Sequence, residues 1–307
     1  MSTAPLYHQP GHGPRISFEL YPPRTPRGGE TLRRTVTELA ALEPDFFSVT
    51  YGASGKTRET SREVIDLILA ETDTTPLAHL TCVGASAEDL GEYVGSLLDR
   101  GVRDFLALRG DPPDGEPDWQ PHPEGLTRSS QLVHLLRDKA ARHVGEDPVS
   151  ISVATYPGGD YDGAGRPQIR DDDIAALLEK QAAGADFGIT QLFYDAEHYN
   201  RFVHAARAAG VHIPIVPGLL PLTSPRRLRR MVELTGVPVP PELLAHLESA
   251  PDAEETYRRG LHASVGLLQA VLDAGAPGVH LYTFNSARAV VDLLHAADLR
   301  RMPVAPH

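Results

Sequence analysis

One cysteine, one tryptophan and three methionines in 307 residues exclude several kinds of chemistry at once. Cys82 has no partner for an internal disulfide, and a cysteine-cluster metal site is out of reach. It lies in an apolar run and reads as buried and inert. No stretch approaches the roughly 20 apolar residues of a membrane span. The polar, proline- and glycine-bearing residues 1–14 lack the apolar core of a signal peptide and read as a flexible arm. Basic residues are also short: 29 Lys and Arg face 41 Asp and Glu, for a net charge of -12. That balance argues against nucleic-acid or anionic-membrane partners, although local arginines can still hold a small anion. The expectation is a cytoplasmic enzyme acting on a small molecule, without nucleic acid or membrane and with a homo-oligomer left open.

Familiar catalytic fingerprints are missing too. There is no Gly-x-Ser-x-Gly elbow and no Walker lysine. Pro22-Pro23 stands after the first strand, where an open dinucleotide-binding sheet would carry glycines. No set of three or four nitrogen or thiolate ligands suggests zinc, so no metal is expected.

What the chain has is alternation. Hydrophobic residues make up 41% and charged residues 23%, enough for a large core. Short apolar runs bounded by turn residues read as strands near Arg15–Pro23, Phe46–Gly52, Leu77–Val83, Phe105–Arg109, Ser150–Pro157, Phe187–Leu192, Ile213–Gly218 and Val279–Phe284. Helix-spaced stretches lie between them: Thr31–Leu42, Ser61–Ala70, Ser86–Asp99, Leu132–Ala141, Asp171–Ala183 and Ala196–Ala209. A mixed helical region, Pro225–Ala274, is interrupted around Pro238–Pro241, and Ala287–Ala296 is the last helix. Ser86 is a good N-cap with Asp89 three residues on. Long loops follow Pro112 and Gly158. Eight strands alternating with helices favour an α/β fold, a closed (β/α)8 TIM barrel over residues 15–307, single-domain, with extra helices before the last strand. An open doubly wound sheet is the alternative.

The strand ends carry the chemistry. Phe105-Leu106-Ala107-Leu108 runs into Arg109-Gly110-Asp111 and is stopped by Pro112-Pro113. Glu19, Thr50 with Tyr51, His79, Tyr156, Gln191 and Tyr282 with Asn285 occupy other strand ends. In a barrel these converge on one mouth. Alone, Glu19 is an ordinary loop carboxylate and His79 a satisfied core histidine. Together they suit an enzyme that holds a flat cofactor and stabilises developing charge, rather than one using a covalent nucleophile.

At these residues the sequence resembles the methylenetetrahydrofolate reductase family. The stretches are Ser17–Thr25, Phe47–Gly52, Ala78–Cys82, Leu106–Pro112, Ala183–Asp195, Pro214–Gly218 and Leu281–Asn285, in register from about residue 15 to 295. The resemblance implies a (β/α)8 barrel with FAD at its mouth and NAD(P)H as co-substrate. Hydride passes from nicotinamide to flavin, then to 5,10-methylenetetrahydrofolate, giving 5-methyltetrahydrofolate. It implies that Glu19 is the general acid, with a pKa raised by burial. It places Asp111 beside pterin and flavin as a second catalytic carboxylate. The resemblance also implies that Gln191 hydrogen-bonds the folate substrate and that Glu19 and Asp111 contact it. Thr50, His79, Arg109, Gly110, Asp111, Tyr156, Asp173 and Lys180 fall on cofactor-binding positions, Arg109 and Lys180 offsetting pyrophosphate charge. The chain departs from the family where Asp160 replaces a histidine, Ala176 an asparagine and Pro225 a phenylalanine. Because Asp160 and Ala176 lie on the flavin side, two alternatives stay open on the same barrel. One is a flavin-independent reductase, the other a folate-dependent one-carbon or methyl transferase.

Overall fold

A computed structural model describes residues 2–8, 13–51, 56–112, 120–158, 160–164 and 167–299. The strands are β1 (Arg15–Leu20), β2 (Phe46–Val49), β3 (Thr75–Thr81), β4 (Asp104–Leu108), β5 (Ser150–Thr155), β6 (Phe187–Thr190), β7 in two pieces (Ile215–Val216 and Gly218–Leu219) and β8 (Gly278–Tyr282). Each pairs in parallel with its neighbour in sequence, and β1 pairs with β8. The first piece of β7 pairs with β6 and the second with β8, so the sheet closes on itself. Pro217 divides the two pieces because it has no N–H to give the ladder. Its carbonyl still accepts from His280 N at 2.9 Å. The expected (β/α)8 barrel is the fold found.

Strand alternation sorts side chains between two cores. On β1, Ile16, Phe18 and Leu20 face outward into the helix-lined core. Ser17 and Glu19 share the opposite, inward face. The barrel floor is a separate apolar cluster of Phe46, Leu77, Leu106, Phe187, Ile189 and Val216. Polar groups therefore sit one layer above an apolar floor, toward the strands' C-terminal ends.

Ten α-helices are present among the described residues. They are α1 (Pro26–Ala40), α2 (Lys56–Glu71), α3 (Ala87–Asp99), α4 (Ser129–His143), α5 (Asp171–Ala182), α6 (Ala196–Ala208), α7 (Pro225–Thr235), α8 (Pro241–Glu248), α9 (Ala253–Asp273) and α10 (Ala287–Ala296). Ser86 caps α3 in a capping box with Asp89, as its spacing suggests. α1 begins five residues before the expected Thr31, because Thr25 caps it and Pro26 occupies its first turn despite two following glycines. Pro225 likewise opens α7 behind the Ser224 cap. The mixed region resolves into α7, α8 and α9, packed before β8. No described helix is long and apolar enough to cross a membrane.

Two local expectations are corrected. The stretch after Gly158 contains a short antiparallel ribbon, Asp160–Tyr161 against Pro167–Gln168. The arm read as flexible is docked over residues 2–8. Thr3 is fully buried, and both its N and its Oγ1 donate to Asp104 Oδ1, at 2.7 and 2.5 Å. Ala4 N donates to Ser150 Oγ at 2.6 Å. Tyr7 packs on Phe187 with ring centroids 4.8 Å apart. Burial holds Asp104 up at about 6, against the pull of the Thr3 hydrogen bonds. A column of rings runs from Tyr7 through Phe187 and Phe46 to His280.

Candidate active site at the barrel mouth

Glu19 is the next-to-last residue of β1 and is buried, 8% exposed. Its Oε1 accepts from Thr50 Oγ1 at 3.2 Å. Its Oε2 faces two imidazoles, His79 Nε2 at 3.9 Å and His280 Nε2 at 3.8 Å. Barrel register explains the meeting, since Glu19 pairs with Ser48 on one side and Tyr282 on the other. Its backbone carbonyl is held by Thr283 Oγ1 at 2.6 Å. Asn285 then clasps Tyr21 through both backbone groups, at 2.9 and 2.7 Å. β1 and β8 are thereby tied together beside the carboxylate.

The charge on Glu19 corrects an expectation. Burial does push its pKa up, but the neighbouring His280 and His79 imidazoles and Tyr21 outweigh it. The carboxyl lies below its ordinary range in the ligand-free site. His79 is held down at about 4 by burial, against the pull of Glu19. Its Nε2 has no hydrogen-bond partner. His79 is therefore a neutral imidazole at neutral pH.

His280 is the functional candidate that sequence reasoning missed. It is 1% exposed, with Nδ1 2.8 Å from Ser17 Oγ and Nε2 3.2 Å from Ser48 Oγ. It stacks on Phe46, with centroids 5.7 Å apart. The signal was present in the alternation of β8: His280 lies two residues before Tyr282 and so shares its face.

The other candidates form the upper rim. Gly110 has φ +81, and a Cβ there would meet Val83 Cγ2 at 2.6 Å. Only glycine brings the chain around that corner. Arg109 and Asp111 flank it 3.7 Å apart, with side chains 69% and 95% exposed. Tyr156 presents a half-exposed ring after β5. Burial and then the Asp111 charge hold its phenol pKa up, against Arg109. Lys180, from α5, donates to Ala154 O at 2.8 Å. Burial lowers its pKa, and Asp173 opposes this. Gln191 N donates to Thr155 O, while its side-chain Oε1 accepts from Leu192 N at 2.9 Å. Tyr282 donates to Thr190 O at 2.9 Å, bridging β8 to β6.

Thus Glu19, Thr50 and His79 form one buried cluster, with His280. Thr50 and His79 direct polar atoms at Glu19, including where a cofactor contact was expected. Arg109, Gly110, Asp111, Tyr156, Asp173 and Lys180 line the β4–β5 side. Gln191 follows β6, and the negative charges of Glu19 and Asp111 raise the phenol pKa values of Tyr282 and Tyr156 respectively, after burial. Ala176 is half-buried on α5, while the side chain of Asp160 and residues 113–119 with Trp119 lie outside the described residues. Among the described residues no group of three or more His, Cys, Asp or Glu could hold a metal ion.

Comparison with known proteins adds independent findings. A family model described as methylenetetrahydrofolate reductase matches residues 8–298. The 5,10-methylenetetrahydrofolate reductase of Pectobacterium carotovorum is 33% identical over 290 residues, covering 93% of this chain and 90% of that protein. Its namesake in Escherichia coli is 31% identical, covering 93% and 91%. Methylenetetrahydrofolate reductase (NADH) 1 of Arabidopsis thaliana is 32% identical over 285 residues, which are 91% of this chain and 47% of the plant protein. The chain thus spans about half the length of the plant relatives it matches. Among solved structures, an uncharacterized protein from Clostridium thermocellum that binds two copies of 5-methyl-5,6,7,8-tetrahydrofolic acid superposes with a TM-score of 0.65. It shares 13% identity and covers 97% of this chain and 98% of its own, a likeness of fold.

Proposed function

The chain belongs to the methylenetetrahydrofolate reductase family, and from that premise we propose that it reduces 5,10-methylenetetrahydrofolate to 5-methyltetrahydrofolate with hydride from NAD(P)H. The single observation that carries this is the buried Glu19 carboxyl at the tip of β1, flanked by two imidazoles inside a barrel mouth. Opening the five-membered ring of the substrate needs a proton at the departing nitrogen. Glu19, ionised in the ligand-free site, shielded from water and braced by Thr50, is positioned to take up a proton and hand it to that nitrogen.

The residues on the β4–β5 side suit a flat, anionic cofactor, and we assign FAD to them. Gly110 leaves a gap that a Cβ would fill, and Thr81 and Thr155 carry buried hydroxyls without partners at the adjoining strand ends. Tyr156 offers an aromatic face, and Arg109 and Lys180 offer positive charge for a pyrophosphate. Thr50, His79 and Asp173 complete the proposed contact set. Bound flavin supplies a two-electron relay between nicotinamide and the folate carbon. The chain's own part is positional. Asp111 is placed to bias charge at the pterin, and Gln191, released from Leu192, to hydrogen-bond it. The proposed setting is the cytoplasm. The relevant assay is nicotinamide oxidation dependent on methylenetetrahydrofolate, with and without added FAD, beside an absorbance scan of the purified protein. Folate-dependent oxidation supports the reading. Folate binding with no oxidation under either condition favours the one-carbon transferase. Activity without a flavin peak or FAD requirement favours direct hydride transfer from nicotinamide.

A further inference from the structure

The first two turns of α7 carry Arg226, Arg227, Arg229 and Arg230, and these arginines are not placed alike. Arg229 pairs with Glu248 and Arg230 with Glu233. Arg226 is exposed, whereas Arg227 is half-buried. The Arg227 guanidinium lies over the Phe284 ring, 5.2 Å from its centroid. Beyond that contact its side chain makes no hydrogen bond or ion pair among the described residues. Burial alone lowers its pKa, and it stays a cation. Stacking on a ring fixes the guanidinium plane and leaves its N–H edges open to an acceptor.

Phe284 is held there against its backbone preference. It and Asn285 are consecutive non-glycine residues in the left-handed region, at φ +50 and +54. Asn285 N donates to Thr283 Oγ1 at 3.1 Å, and Asn285 O accepts from Thr35 Oγ1 at 3.0 Å. The clasp of Asn285 on Tyr21 completes the hold. Its result is a Phe284 ring stacked on Tyr21, with centroids 5.3 Å apart and planes 16° apart. Tyr21 in turn faces Glu19: burial and then the Glu19 charge raise its phenol pKa. A carboxylate, two stacked rings and a bare cation thus stand in sequence on the β7–β8–β1 side of the mouth, across the barrel from the side assigned to FAD.

The proposed substrate has the same order of parts. It has a pterin that must be protonated, an aminobenzoyl ring, and a glutamyl group with two carboxylates. We propose that Arg227 is the specificity-determining residue for the substrate's tail, its guanidinium forking onto a glutamyl carboxylate. The aminobenzoyl ring lies along Tyr21 and Phe284, and the pterin reaches Glu19 and Gln191. The inference rests on the reductase reading above and adds to it the direction in which the substrate lies. It also explains the strained β8 loop: the clasp that braces Glu19 sets the ring on which the tail's cation rests.

The test is the binding of 5-methyltetrahydrofolate and of 5-methyltetrahydropteroate, which differ only by the glutamyl group. Titration calorimetry in the presence of FAD gives both dissociation constants for wild type, Arg227→Gln and Phe284→Leu. Wild type should bind the folate about ten- to a hundredfold more tightly, the scale of a hydrogen-bonded charge. Arg227→Gln should remove most of that ratio by weakening the folate while the pteroate binds as before, a split that a merely structural role would not produce. Phe284→Leu takes away the ring under the guanidinium and should also shrink the ratio, and it carries the test if Arg227→Gln fails to fold. A ratio that survives in the variant, or equal weakening of both ligands in Arg227→Gln, would overturn the proposal. Wild-type protein that binds neither ligand would sink the reductase reading and this inference with it. Wild-type protein that binds both alike sinks the inference alone.

Discussion

His79 Nε2 points at Glu19 Oε2 from 3.9 Å, fully enclosed and without a hydrogen bond. Burial holds His79 at about 4, below its ordinary 6.5. The unfolded chain therefore binds this proton first as pH falls. Stability is intact above 6.5 and is lost progressively as pH drops toward 4. The loss from this group is about 2 kcal/mol at pH 5. Glu19, also held down, acts in the same direction but in a more acid window, below its ordinary 4.5. Urea midpoints at pH 7.5 and pH 5 should converge in His79→Gln relative to wild type. An equal acid penalty in both proteins would show that His79 is not the group responsible.

Gly110 turns the chain at φ +81 with Val83 2.6 Å from where a Cβ would sit. Gly110→Ala should cost about 1–2 kcal/mol from backbone conformation alone, and the overlap with Val83 adds to it. It should also push the β4 tip into the space assigned to cofactor. The expected result is a lower melting temperature and flavin lost during purification. A variant that melts lower yet retains flavin at wild-type stoichiometry would place the cofactor elsewhere.

Tyr7 plugs the floor of the barrel against Phe187. Tyr7 is partly buried against that floor cluster, so Tyr7→Ala should destabilise the fold by about 1–3 kcal/mol, less than truncation of a fully buried core aromatic. Denaturant midpoints read this directly. A shift of less than about 0.5 kcal/mol, the range of exposed substitutions, would mean the arm is not docked in solution.

The barrel itself was legible because strands buried on both faces appear as short apolar runs, and those runs were eight. The rim was legible for the same reason: Glu19, His79 and Arg109 interrupt apolar strands near their C-terminal ends. What stayed hidden depended on register. His280 lies mid-strand between Val279 and Leu281, and only pairing with Ser17 reveals what it faces. Burial of a carboxyl, which an apolar strand implies, raises its pKa, but at Glu19 the His280 and His79 imidazoles, which register alone brings there, reverse the direction. The docked arm escaped because Thr3 gains its worth from Asp104, 101 residues away. The start of α1 escaped because two glycines mask a good cap.

The central claim is that Glu19 serves the folate and not the nicotinamide. Glu19→Gln keeps the shape and the hydrogen bond from Thr50 but has no acidic proton to give. Pre-steady-state measurement of both half-reactions in this one variant is the most direct test. Folate reduction should fall by about two to four orders of magnitude, the scale of a lost general acid, while nicotinamide oxidation with menadione stays near the wild-type rate. Equal loss of both half-reactions, or full retention of folate reduction, would contradict it.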